Sequence, residues 1–200
     1  MPIYNWRPLT PTDIPALMHV ANTVHTTLPE RPEVFLERCN LYPTGCLVLD
    51  VSPSAKPAAA HTSSSAPAFA SSQPTLPLIQ GGSVEICGYA ISHPIRTHQP
   101  PPLDTLLGNI PADAKQYYIH DVAILSEHRG RGLAAEAVGR LRAVAERSAF
   151  ASTGLVAVYG SKGFWGRFGF EEERGEGEEE DLKRKVEGYG GDAVWLVRKG

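Results

Sequence analysis

Apolar residues recur along this chain in two rhythms, and the switches between them mark its elements. Alternating or continuous apolar runs rich in β-branched and aromatic residues predict strands at Ile3 to Arg7, Cys46 to Val51, Glu85 to Ser92, Tyr117 to Leu125, Gly154 to Tyr159 and Ala193 to Val197. Helical spacing appears at Ile14, Leu17, Met18 and Ala21, behind Thr10-Pro-Thr-Asp13, which offers capping side chains. A second helix is predicted from Arg31 to Asn40, with Pro32 in its first turn. The clearest helix runs from Gly132 to about Phe150. It places Ala134, Ala137, Val138, Leu141, Val144 and Ala145 on one face and keeps its charges mostly off it. Ser161 to Arg167 reads as a short helix leading into Gly169-Phe170. The predicted order is βααββ, then βαβ, then a short helix and one or two strands, which specifies a mixed sheet with helices on its faces.

Three stretches break the rhythm. From Ser52 to about residue 78 the chain is mostly Ala, Ser and Pro. It buries too little to offset its ordering entropy, and predicts a flexible insert between two strands. Pro94 to Ala114 is a proline-rich connection that carries Leu103, Leu106, Leu107 and Ile110. It reads as packing against the core, or as a wall over a cleft. His93 and His98 fall with it and take no identifiable role. Glu171 to Lys185 holds eight acids and four bases and predicts a solvated acidic loop.

Composition adds exclusions. The net charge of −3 over 200 residues comes from the acidic run; without it 14 acids face 15 bases. No basic stripe stands out, which argues against nucleic acid as a partner. No apolar run approaches the roughly 20 residues that span a bilayer, so no membrane is expected. Cys39, Cys46 and Cys87 are odd in number and not at metal-ligand spacing. They suggest a reduced, cytoplasmic setting and no metal.

The candidate chemistry lies at the junction of the strongest strand with the clearest helix. Arg129-Gly-Arg-Gly-Leu-Ala134 joins them. A helix start presents unsatisfied amides and partial positive charge; glycines let a phosphate approach; arginines add donors. A triphosphate loop would need Lys-Ser/Thr where Leu133-Ala134 stands. A dinucleotide fingerprint is matched only in part, by Gly130, Gly132 and Ala135, and comes late in the chain. The pyrophosphate of coenzyme A is the third candidate.

Arg129, Gly132 and Ala134 meet the pattern Q/R-x-x-G-x-G/A, and Gly163-Phe-Trp-Gly-Arg-Phe-Gly-Phe170 resembles the segment F-Y-x-R-x-G-F. In order and distance both resemble the GNAT superfamily of N-acetyltransferases. The resemblance is strongest over Tyr117 to Phe170, and His120-Asp-Val-Ala123 is further similar to its arylalkylamine branch. It implies an α/β (α+β mixed) fold, with a mostly antiparallel central sheet flanked by helices and splayed fourth and fifth strands. The whole chain would then be one N-acetyltransferase domain.

It also implies acetyl-CoA as cosubstrate. Val122, Ala123 and Ile124 would pair with the pantetheine arm, with an amide such as that of Val122 polarising the thioester carbonyl. Amides from Arg129, Gly130, Arg131, Gly132, Leu133 and Ala134 would hold the pyrophosphate, and Phe164 and Trp165 would wall the cleft. Transfer to the primary amine of a small molecule, or to a peptide amino terminus, would be direct. His120 is the candidate base, because its ordinary pKa lies near 6.5. Asp121 is an alternative base or an orienting partner; the two would share a face only if a bulge intervened. Glu33 is a remoter possibility. The family's usual acid is a tyrosine at the position of Trp165, whose indole N–H is not a useful proton donor. Tyr159 or water would have to serve, or the chain is a CoA-binding sensor with little catalysis.

Overall fold

The computed structural model describes residues 1–53, 85–173 and 179–200. Seven strands form one sheet: β1 (Ile3–Pro8), β2 (Cys46–Ser52), β3 (Glu85–Ile95), β4 (Gln116–Ile124), β5 (Ser152–Ala157), β6 (Glu171–Glu172) and β7 (Val194–Lys199). Their order across the sheet is β1-β2-β3-β4-β5-β7-β6. Every neighbouring pair is antiparallel except β4 and β5. The helices are α1 (Ile14–Val24), α2 (Pro32–Leu41), α3 (Leu133–Arg147), α4 (Lys162–Gly166) and α5 (Glu179–Glu187). The mixed, mostly antiparallel sheet expected from the sequence is therefore present, with α3 as the crossover between its parallel strands.

Two departures from a regular ladder shape the centre of the sheet. β4 and β5 pair only at Tyr117 with Thr153 and Tyr118 with Gly154, then diverge. Between β3 and β4 the register shifts: Ile91 faces Asp121 while Ser92 faces Ile119, which leaves His120 without an opposite residue. One extra residue on a strand is a bulge, and it re-aims the side chains beside it. Earlier on β4 the ordinary alternation holds. Tyr117 packs near Phe150 beyond α3, and its neighbour Tyr118 stacks on Trp195 of β7.

The core gathers Leu17 and Val20 of α1, Val34 and Phe35 of α2, Leu141 of α3 and the inward residues of β2 to β5, all buried. Three sequence expectations need correction. The acidic stretch is not simply a loop: β6 lies within it and α5 begins in it, and Leu182 and Val186 of α5 are buried beside Tyr118, Trp195 and Val197. A four-residue spacing of two apolar side chains suffices to seat one face of a short helix. His93 is a buried residue of β3, not part of the following loop. Tyr159 lies past the end of β5, with φ of +53°. The Ala/Ser/Pro-rich stretch falls almost wholly outside the described residues. Among those described, no helix is long and apolar enough to cross a membrane.

Candidate active site

The gap between β4 and β5 opens into a cavity of about 780 Å³. One end is the start of α3. Gly132 precedes the helix with φ of +79°, and Gly130 has φ of +75°. Both lie in the left-handed region, which is costly for a residue with a Cβ. No side chain caps this helix, so the first amides of α3 keep free N–H groups beside Gly130, Gly132, Leu133 and Ala134 on the cavity wall. Arg129 also lines the wall, its Nε donating to the Ile124 carbonyl at 2.7 Å. Arg131 turns elsewhere, lying 5.7 Å over the Tyr4 ring. Leu133 sends its side chain into the core, and its carbonyl accepts the Trp6 indole N–H.

Main-chain direction on β4 follows from one bond. The Leu125 amide donates to the Cys87 carbonyl of β3. Successive residues of an antiparallel strand turn their peptide groups to opposite sides. Ala123 therefore faces β3 with its main chain, while Val122 and Ile124 face the gap. Of the three residues expected along the pantetheine arm, these two offer main-chain groups there. Phe164 and Trp165 line the opposite wall in an edge-to-face pair 5.1 Å apart.

The bulge brings His120 and Asp121 to the same cavity, the condition on which their joint use depended. His120 Nε2 lies 2.8 Å from Glu30, and both side chains are almost fully buried. A carboxylate accepts, so Nε2 carries the hydrogen. Nδ1 is buried and, among the described residues, has no hydrogen-bond partner. Burial disfavours the Glu30 charge, but His120, Arg38 and the Asp104 amide outweigh it and hold the carboxyl at about 2.

Asp121 has a pair of its own. His25 Nε2 lies 3.0 Å from its carboxylate, and the Tyr89 hydroxyl donates to it at 2.5 Å. Burial, then the Asp121 charge, pushes the Tyr89 phenol well above its ordinary range, so it stays a neutral donor. Tyr159 stacks on the His25 ring with centroids 5.7 Å apart, and its hydroxyl bonds Thr27 at 3.1 Å. Glu33 is exposed and does not line the cavity.

Glu30, His25 and Tyr89 carry no local sequence signal. His25 and Glu30 flank the α1–α2 connection, and that connection must fold over β4 before either can meet its partner. The long β3–β4 connection shows what fixes it there. Arg31 donates to Asp104 through Nε at 2.8 Å, the Asp104 amide donates to Glu30, and Arg38 donates to the Thr105 carbonyl. Leu103 of the same connection lines the cavity.

The sequence profile of the Acetyltransferase (GNAT) family matches residues 48–170. That is well over half of the chain, and the chain belongs to this family. Membership makes it an acetyltransferase by family, with acetyl-CoA as cosubstrate. No curated protein sequence matches it. Among solved structures it is similar to the loading GNATL domain of CurA from Lyngbya majuscula, with a TM-score of 0.65, 13% identity and 98% of both chains covered. It is also similar to the PaiA N-acetyltransferase of Thermoplasma acidophilum in complex with coenzyme A, with a TM-score of 0.56, 11% identity and 99% of both chains covered. A third likeness is to a putative acetyltransferase from Pyrococcus horikoshii, with a TM-score of 0.53 and 16% identity. There 86% of this chain covers only 44% of that one. At these identities the likeness is one of fold.

Proposed function

We propose that the protein transfers the acetyl group of acetyl-CoA directly to a primary amine, of a small molecule or of a peptide amino terminus. One observation carries this reading: a single cavity joins the uncapped start of α3 and the gap-facing edge of β4 to the His120–Glu30 pair. Amides at the start of α3 suit the pyrophosphate. The Val122 amide suits the thioester oxygen, where negative charge develops during attack.

An amine reaches the site mostly as its ammonium. His120 Nδ1 takes the proton, directly or through water, while Nε2–H stays on Glu30. The amine lone pair then forms the C–N bond, the nitrogen gives up its second proton to water, and collapse of the tetrahedral species breaks the C–S bond. No enzyme nucleophile is used. Cys39, Cys46 and Cys87 are free and buried, which supports structural roles and a reducing, cytoplasmic setting.

The test is release of CoA thiol from acetyl-CoA across a panel of amines and short peptides. The expected result is turnover with at least one acceptor, and a kcat about 100-fold lower or more for His120→Ala. Coenzyme A binding without thiol release from any acceptor would overturn this reading in favour of a CoA-binding sensor.

A further inference from the structure

The cavity holds two histidine–carboxylate pairs, His120 with Glu30 and His25 with Asp121. His120 and Glu30 lie toward the α1–α2 connection and the β3–β4 connection, where Leu28, Phe35 and Leu103 complete the wall. His25 touches both lips of the gap: Asp121 on β4 through Nε2, and Tyr159 just past β5 by ring stacking. Val122, whose amide faces the gap, is the residue next to Asp121. A thioester with its oxygen at that amide therefore reacts one residue away from the carboxylate that holds His25.

We propose that His25 is the proton donor to the departing CoA thiolate, filling the role left open by Trp165. This rests on the acetyl-transfer reading of the site. As the C–S bond breaks, its electron pair stays on sulfur. The sulfur takes the proton from His25 Nδ1–H, and the neutral imidazole is reprotonated from water. Asp121 holds Nε2–H throughout, and the Tyr89 phenol, donating to the same carboxylate, fixes its rotamer. His25 is about one-seventh exposed at its side chain, so water reaches it. Among the described residues its Nδ1 has no hydrogen-bond partner and is free to donate.

The charges around the ring agree. Burial works against the imidazolium, but the Asp121 charge and hydrogen bond and the charge of Glu30 outweigh it, with Arg129 opposing, and His25 is raised above its ordinary 6.5. Tyr89 on β3 shares its Asp121 partner as a neutral phenol, and Tyr159 after β5 stacks on the ring. A raised pKa keeps the donor loaded at neutral pH. Trp165, by contrast, is packed against Phe164 and Phe170 and offers only an indole N–H.

The experiment is the pH dependence of kcat at saturating acetyl-CoA and amine, for the wild type and His25→Gln. The wild type should lose activity as pH rises through a value above 6.5. His25→Gln should lack that alkaline limb, with kcat about 100-fold lower and amine KM within about threefold. A retained limb with near-wild-type kcat overturns the proposal and leaves the proton to water or Tyr159. Proton–nitrogen NMR of the imidazole gives an independent reading should the variant fold poorly. The His25 ring in wild-type protein should titrate above 6.5, and lower in Asp121→Asn; titration at or below 6.5 in the wild type overturns it. If the wild type binds CoA but acetylates nothing, the enzymatic reading itself has failed, and the proposal falls with it.

Discussion

Glu30 shows how much one side chain can connect. Its Oε2 accepts from His120 and its Oε1 from the Asp104 amide, so one carboxylate fixes the base and ties down the wall of the acceptor side. Its carboxyl is held at about 2 against an ordinary 4.5. A depressed carboxylate contributes stability that is complete above the unfolded value and lost as pH falls through the folded one. Glu30→Gln keeps the size and a hydrogen-bonding end but removes this charge. The stability difference between wild type and variant should therefore shrink as pH is lowered from about 4.5 toward 2. Urea unfolding followed by circular dichroism across that range measures it. Asp13 is depressed in the same window through Arg7 and cancels in the comparison. A constant difference would show that the pair contributes no net charge stabilisation. At neutral pH the same variant should lose activity, because an amide can present N–H as well as oxygen to His120 and no longer selects one tautomer.

Single elements carry the cofactor end. Gly132 has φ of +79° at the start of α3, and a Cβ built there meets nothing within 4 Å. The obstacle to Gly132→Ala is thus conformational, a left-handed cost of about 1–2 kcal/mol. Relief of that strain turns the first amides of α3, so weaker CoA binding should accompany the lost stability. Calorimetric titration with CoA and thermal unfolding should both move; unchanged binding would show that the amides are not used. This element was legible in the sequence because its strand, turn and helix are consecutive and each has its own signature. The bulge was not: His120 looks like any strand residue until β3 is laid beside it. Glu30 and His25 were less legible still, since 90 and 96 residues separate them from His120 and Asp121. Only packing of the α1–α2 connection brings them together. Leu182 and Val186 did carry a helical spacing, but the acids around them masked it.

At the scale of the whole molecule, the catalytic parts come from distant segments held by one sheet. β4 supplies His120 and Asp121, the α1–α2 connection supplies His25 and Glu30, and α3 supplies the anion site. Residues 54–84 join β2 to β3, and the two strands already pair up to Val51 with Glu85. The strand ends stand side by side, so a short turn can join them. Replacing residues 54–84 with a four-residue Asn- and Gly-containing turn removes loop-closure entropy from folding. A (3/2)RT ln n dependence puts the gain at about 2 kcal/mol at most. The register from Cys46/Ile91 onward, the bulge at His120 and the α1–α2 connection all have contacts among the described residues. The shortened protein should therefore keep CoA binding and acetyl transfer within about twofold, with a melting temperature equal to or above that of the full chain. Thermal unfolding and thiol-release kinetics on both proteins decide it. Retained CoA binding with a raised amine KM would instead assign the stretch to the acceptor side, and the cavity walls named above would then be incomplete without it.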